Sequence, residues 1–490
     1  MPDNVAFNSI PIDVRTPGAY IEIDNSKALR GLPSMARRML YIGNKLSTGS
    51  ATAGTLQRIN SAADAATLFG RGSVLHEMLA AARFANKTSD IWAISLDDNA
   101  AGVKATQTIT VTANSAQAGT ISLYVNGKRL SVGVSANDTA TTIAAAIVAA
   151  VTAYADCPVT AAAASAVVTL TARHKGLFGN DIDVRVNYYS GELLPAGVAL
   201  VIASGTAGSG NPDVTPALAA ISVDSFYTLA MPYNDTANIV AVETELASRW
   251  GGMDMRTGHV FVGLRGTFSA LTTVGSARNS PHSTLFGPKS APTPCYVYAA
   301  VLAAVCEESG AIDPARPFQT LALPGVLPPA QADLFTRQER DLLLRDGIST
   351  FTVDQGGNVL VERVVTTYQT NAAGIDDVSY LDLETKWTVD YMRWAFRVRI
   401  ALRFPRHKLA DDGTNFAPGQ AVATPLMIRG ELLDVARQME LAGILEGFDQ
   451  FKGDLIVVRS ISDRNRVNCI LPPDVVNQFR VFAASVQFIL

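Results

Sequence analysis

The feature that most limits what this chain can fold into lies in its last ten residues. Phe482, Ala484, Val486, Phe488 and Leu490 fall on one face of a strand whose other face carries Val481, Ala483 and Ile489. A strand that is apolar on both faces has to be buried in a sheet, and a chain end stays ordered only when something ties it down. The segment is therefore expected to dock on its own domain or to add itself to a neighbour's sheet. The first 20 residues have a related character, with Pro2, Pro11 and Pro17 punctuating an alternating Ile10, Ile12, Val14 run that suits an extended arm.

Between these ends the chain has the means to fold without staples. It is 490 residues long, 48% hydrophobic and 17% charged, room for about three ordinary domains and too apolar for a disordered chain. Forty basic side chains against 44 acidic ones leave a net charge of -4, which excludes a protein that works by neutralising a nucleic-acid backbone; no direct nucleic-acid partner is expected. Cys157, Cys295, Cys306 and Cys469 are too far apart in sequence for a C-x-x-C pair and read as small buried apolar residues of a reducing compartment. The N-terminus has Asp3 and no basic stretch leading into an apolar one, so a secretory signal is not expected and the chain should stay in the cytoplasm where it is made. Residues 139–155 and 292–306 fall short of the roughly 20 strongly apolar residues of a membrane span, so no membrane insertion is expected.

The pattern along the chain predicts a multidomain α/β and α+β protein. Apolar runs at 39–44 and 91–96 flank a helical pattern over 68–85, the strand, helix, strand order of an α/β layer. Composition then shifts near Asp97-Asp98-Asn99 to Ala, Thr, Val and Ser. Within 100–186, residues 108–112 and 121–125 alternate in period two, Asn126-Gly127 predicts a tight hairpin turn, and Asp138 or Thr139 is placed to cap an Ala-rich helix through Thr152. Strands are expected at 166–172 and 182–188, with 156–166 as a low-complexity connection. Further on, helices from Val214, at 235–250 and at 294–308 alternate with strands at 226–231 and 259–264, which favours a mostly parallel, helix-covered sheet. A helix over 333–346 should stop at Gly347, strands 348–353 and 359–368 bracket a turn at 354–358, Trp387, Tyr391, Trp394, Val398 and Ala401 recur at helical spacing, and Thr424-Pro425 opens a helix to about Leu445. The expected organisation is an N-terminal arm (1–20), a first part of the core (21–99), an inserted β-rich α+β domain (100–190), a middle part of an α/β core (191–325), a C-terminal core domain (326–470) and a C-terminal arm (471–490). The core is thus built from N- and C-terminal parts, and both termini are extended.

The search for chemistry returns little. His76-Glu77 begins like a zincin helix, but residue 80 is alanine where the second metal histidine belongs. No G-x-S-x-G elbow and no G-x-x-x-x-G-K-[ST] loop occurs. Gly205-Thr-Ala-Gly208-Ser-Gly210 precedes a helix and has the composition of a phosphate cradle, yet its spacing matches no fingerprint and a flexible linker explains it better. Asp181 with Asp183, Asp376-Asp377 and Asp411-Asp412 sit in turn-like contexts where acids cap bends. No catalytic, cofactor or metal residue is therefore assigned. Residues 391–410 hold Arg393, Arg397, Arg399, Arg403, Arg406 and Lys408 with no acid, which reads as a helix whose outer side is basic and faces an acidic protein surface or a phosphate chain.

IPIDVRTPGAY at 10–20 and SMARRMLYIGN at 34–44 resemble the opening of Mu-like contractile phage tail sheath proteins. NVLVERVVTTY at 358–368 is similar to a hairpin strand common among contractile sheaths, and RIALRFPRHKLADDG at 399–413 with LPPDVVNQFRVFAASVQFIL at 471–490 resembles the Mu-like C-terminus. The resemblance implies a structural virion protein and no enzyme. It implies hexameric rings stacked helically around a tail tube, assembled in the host cytoplasm, with tube, baseplate and tail terminator proteins as partners. It implies terminal arms that add strands to neighbouring subunits and a stored free energy that contraction releases without nucleotide. On that basis Ile10, Ile12, Val14, Phe482, Val486, Phe488 and Leu490 are the expected intersubunit arm residues, and Arg393, Arg397 and Arg403 the expected tube-facing ones. Two rivals stay open: the sheath of a related contractile injection machine, and an α/β enzyme using the glycine-rich loop at 205–210.

Overall fold

Strand-forming runs rich in Val, Ile, Tyr and Phe, several of them linked by helices, build a mostly parallel sheet. The computed structural model describes residues 15–21, 32, 35–417 and 419–489; Ile10, Ile12, Val14 and Leu490 lie outside them. The chain divides into two compact units, Arg37–Lys386 and a second that joins Met1–Ala36 to Trp387–Leu490.

In the larger unit, β1 (Arg38–Asn44) is followed by β2 (Leu56–Ile59), α1 (Ala62–Phe69), α2 (Val74–Ala85) and β3 (Asp90–Leu96). The helical pattern read over 68–85 is two helices, broken at Gly70 and Gly72; Ser61 and Ser73 cap them, Ser61 reciprocally with Asp64. The chain then leaves the sheet for a module of its own: β4 (Lys104–Ala113), β5 (Gly119–Val125), β6 (Lys128–Val134), α3 (Ala140–Ala153), β7 (Val159–Ala164), β8 (Val167–Lys175), β9 (Val184–Val186) and β10 (Ala199–Ser204). It has one four-stranded sheet, β10-β4-β8-β7, and one three-stranded sheet, β6-β5-β9. Their shared core is a separate cluster around Ile109, Ile121, Leu123, Ile143, Ile147, Val168 and Leu170. Asn126 (φ 49) and Gly127 (φ 76) make the predicted hairpin turn, and the Thr139 hydroxyl caps α3. The stretch 156–166 is no loose connection: β7, with sequence VTAAAA, pairs along its whole length with β8, so cross-strand pairing overrides the low strand preference of alanine.

The chain returns to the main sheet through α4 (Thr215–Ala220) and β11 (Thr228–Met231), then α5 (Thr236–Trp250), β12 (His259–Gly263), α6 (Phe268–Ser276), β13 (Ser283–Phe286), α7 (Cys295–Ile312), α8 (Arg337–Arg345), β14 (Ile348–Val353) and β15 (Val359–Arg363). The order across the sheet is β15-β14-β13-β12-β11-β1-β3-β2; the six inner strands are parallel, and β2 and β15 are antiparallel edges. The helix expected from residue 333 begins at Arg337, where Thr336 and Glu339 form a capping box. α7 is long and apolar enough to cross a membrane by length and composition, yet 78% of it is buried in the fold. It packs on the sheet and α2, where Tyr41 Oη donates to Ala300 O at 3.0 Å and Asn86 Nδ2 to Ala304 O at 2.9 Å. A buried ion pair sits at the amino ends of β1 and β11: Arg37 grips both oxygens of Glu307 (2.8 and 2.9 Å) while its guanidinium lies 3.6 Å over the Tyr227 ring.

The smaller unit is built on α9 (Leu383–Arg403), in which the division of the chain falls, and on α10 (Pro425–Leu441), with β16 (Lys408–Leu409), β17 (Val422–Ala423), β18 (Leu445–Glu446), α11 (Phe448–Asp454), β19 (Ile456–Arg459), β20 (Val467–Ile470) and β21 (Asp474–Val475). Its core gathers Met392, Ala395 and Phe396 of α9, Ile428, Leu432, Val435 and Met439 of α10, and Phe451, whose ring stacks on Phe396 at 5.9 Å. Three of the four cysteines are buried as expected, but Cys469 on β20 is exposed.

Candidate assembly surfaces

Open parallel sheets hold ligands outside the carboxyl ends of their strands, where the winding direction reverses. Here that point is β1, flanked by β3 on one side and β11 on the other. Its crevice is filled by the chain itself. Asn44, the last residue of β1, accepts from Tyr233 Oη at 2.8 Å and donates to Asp98 at 2.8 Å; Asp98 also bonds His174 Nδ1 of β8 at 2.8 Å and accepts the Lys175 amide at 2.9 Å. Burial pushes the Asp98 carboxyl up, but the hydrogen bonds from His174, Lys175 and Asn44 outweigh it and hold the group below the usual carboxylate range. Phe178 packs against both His174 and Tyr233, so the chain's own side chains occupy the place where an enzyme of this topology binds substrate.

The glycine-rich segment is neither a cradle nor a flexible linker. Gly205 N donates to Thr106 O, Thr206 N to Thr106 Oγ1, Gly208 N to Asn180 Oδ1 (2.7 Å) and Ser209 N to Val103 O, so these amides point into the module. Glycine is required by close approach: a Cβ on residue 208 would stand 2.4 Å from Gly176 O. Five of the six paired acids are likewise committed. Asp181 is buried and accepts from Cys295 Sγ at 2.8 Å, Asp183 binds Arg185, Asp377 accepts from Tyr368 and Ser379, Asp411 pairs with Arg459 and Arg464, and Asp412 accepts the Leu426 amide at the start of α10. Among the described residues no group of three or more His, Cys, Asp or Glu side chains is placed to hold a metal ion.

The surfaces that bear on the predicted assembly residues are in the smaller unit. The basic run of α9 has its acidic counterpart on α10: Arg399 contacts Glu431 (3.3 Å), Asp434 (2.9 Å) and Gln438 (3.1 Å), and Arg403 contacts Glu431 (2.9 Å). Arg393 lies 3.5 Å from Asp390, and Arg397 is exposed. The partners Glu431 and Asp434 were missed in the sequence, although a helix carrying acids at 431 and 434 just downstream of the acid-free basic stretch 391–410 is a readable signal. β19 and β20 form a two-stranded antiparallel ribbon that no third strand joins among the described residues, with Ile456 and Ile470 paired on one face at 47% and 60% exposure. Beyond β21, residues 476–489 adopt no regular structure, and 481–489 are all exposed: Phe482 at 80%, Val486 at 89%, Phe488 at 76%. The apolar strand pattern at the end of the sequence therefore finds no sheet partner in its own chain among the described residues.

A parallel sheet whose switch point is occupied by the chain's own side chains, and a second unit that exposes a two-stranded ribbon and an apolar tail, are features of self-assembling structural proteins. Comparison with known proteins places it. Residues 207–367 match the phage tail sheath protein central domain and residues 376–489 the phage tail sheath C-terminal domain. The Mu-like prophage FluMu tail sheath protein of Haemophilus influenzae is 42% identical over 487 residues, 99% of this chain and 100% of that one. The chain belongs to the phage tail sheath family. Among solved structures, the sheath tail protein of Desulfitobacterium hafniense is 15% identical with a TM-score of 0.51, covering 94% of this chain and 97% of that one, which shows a shared fold. The sheath tail protein of Listeria innocua is 12% identical with a TM-score of 0.49 over 92% of this chain and 94% of that one.

Proposed function

We propose that this chain is the subunit that polymerises around a tail tube and, by contracting, drives the tube through the host envelope. The observation that carries the proposal is the pairing of a strand-patterned, solvent-exposed tail at 481–489 with an open two-stranded ribbon in the same unit. Strand addition from one copy to the ribbon of the next satisfies main-chain hydrogen bonds, and buries Phe482, Val486 and Phe488 against faces such as that of Ile456 and Ile470. Links of that kind keep a mesh connected while compact units move as rigid bodies. The N-terminal arm with Ile10, Ile12 and Val14 is proposed to link copies in the same way, residues 100–190 to be an inserted domain, and Arg393, Arg397 and Arg403 to face the tube. The protein is proposed to be non-enzymatic; the plugged switch point and the committed glycine amides support that reading over an α/β enzyme. Hexameric rings, and contacts with tube, baseplate and terminator proteins, belong to the same proposal.

Electron microscopy of the purified full-length chain tests it. Hollow tubes with a regular helical repeat are expected, and a variant lacking residues 479–490 should stay folded by circular dichroism yet form none. Normal tubes from the truncated chain would overturn the arm assignment.

A further inference from the structure

Glu77 is a carboxyl that assembly, as proposed, does not use. It lies on α2 in the larger unit, and the turn of the β5–β6 hairpin is seated on it. Asn126 Nδ2 reaches both oxygens of Glu77 at 3.2 Å and Tyr296 Oη at 2.9 Å, while Tyr296 Oη donates to Glu77 Oε2 at 2.7 Å. The same asparagine ties the module together behind the seat, its amide donating to Asp183 O at 2.9 Å and its Oδ1 accepting the Asp183 amide. Gly127 beside it leaves no slack: a Cβ there would stand 3.2 Å from Leu327 and 3.3 Å from Thr293. The hairpin turn of the 104–204 module is thus plugged between α2 and the first turn of α7, and its side-chain contacts converge on one buried acid.

We propose that this seat is proton-linked: with Glu77 neutral the hairpin turn stays seated on α2 and α7, and ionisation of Glu77 favours its release. The neighbours support the direction. Burial pushes the Glu77 carboxyl up to about 7; the hydrogen bonds from Tyr296 and Asn126 and the positive charge of Lys128 on β6 offset part of that, and the negative charge of Asp156 after α3 adds to it. The other titratable groups facing it are Tyr296 itself, and Tyr154 and Cys157 flanking Asp156, all with burial holding them above their usual values. Asp156 is itself gripped by Arg71, and His76, next to Glu77 on α2, is kept below its usual range by burial. None of these supplies a direct cationic partner for an ionised Glu77.

The sign follows from linkage. A carboxyl whose value is raised in the seated state and returns towards the ordinary 4.5 when released binds more protons seated than free. Rising pH therefore opens the seat, by about tenfold for each pH unit between the two values, and the effect levels off above about 7. Hydrogen–deuterium exchange of the full-length chain between pH 5 and 8.5 reads this directly. Corrected for intrinsic exchange, protection of the Asn126 side-chain amide protons, which make the seat's own hydrogen bonds and are read by NMR, should fall with pH up to about 7 and then level, while backbone amides of β1 and β3 hold theirs. In Glu77→Gln the dependence should vanish. Tyr296→Phe, which keeps the carboxyl and removes a hydrogen bond to its ionised form, should move the levelling point to higher pH and distinguishes the proposal should Glu77→Gln fold poorly. Flat protection in the wild type, or an unchanged pH dependence in Glu77→Gln, would overturn the proposal. Either result leaves the sheath assignment untouched, because tube formation is read separately.

Discussion

At the scale of single residues, buried polar pairs are where one substitution is felt most. Arg37→Met would leave Glu307 buried with Thr228 as a remaining donor but without its cation, and Thr228 Oγ1 at 2.5 Å cannot replace a charge. Breaking a buried pair in this way costs about 3–5 kcal/mol, so a marked fall in the urea midpoint is expected; a shift within error would mean that the pair contributes nothing. Gly208→Val tests the close approach to Gly176. Overpacking that cannot relax costs about 1–3 kcal/mol, and the strain should appear as lost exchange protection around Thr106 and Asn180, whose side chains hold the segment. A flexible linker would tolerate the same change without either effect.

At the scale of elements, capping decides where helices begin, and it was legible in the sequence. Thr139, Asp235 and Thr424 all cap the helices they precede. Thr139→Ala should lower stability by about 1 kcal/mol, read as a lower thermal midpoint with unchanged helix content; no change would show that packing alone holds α3. The turn at Asn126-Gly127 was also legible, because only residues tolerant of positive φ fit both its central positions. Less was legible where short elements lack a local signal. β13 is only four residues, STLF, and is a strand because β12 and β14 flank it; β7 is a run of alanines made into a strand by β8. The basic face of α9 was readable as charge, but its pairing with Glu431 and Asp434 of α10 depends on how two helices meet.

At the scale of the whole molecule, the predictions concern assembly. Replacing Arg393 and Arg397 by Glu should weaken co-assembly with the tube before it weakens sheath self-association, measured by co-sedimentation with purified tubes. Arg403 is the poorer probe, since its 2.9 Å pair with Glu431 is closer than the 3.5 Å contact of Arg393 with Asp390 and its change to Glu would set two acids nearer together. Unchanged co-sedimentation of the double variant would remove α9 from the tube-facing surface.

Some of this protein was decided by the sequence alone. The alternation of apolar strands with capped helices determined a mixed α/β chain, because periodicity and capping are local properties. The apolar pattern on both faces of 481–490, read as a strand, pointed towards assembly. Tertiary structure alone decided which acids meet which bases, that the glycines at 205 and 208 are packing positions, that the crevice at β1 is plugged by Asn44, Asp98, His174 and Tyr233, and that Glu77 sits under a hairpin turn some fifty residues away in sequence. The physical reason is common to all four: burial, close approach and partner choice are properties of pairs distant in the chain, and no local pattern encodes them.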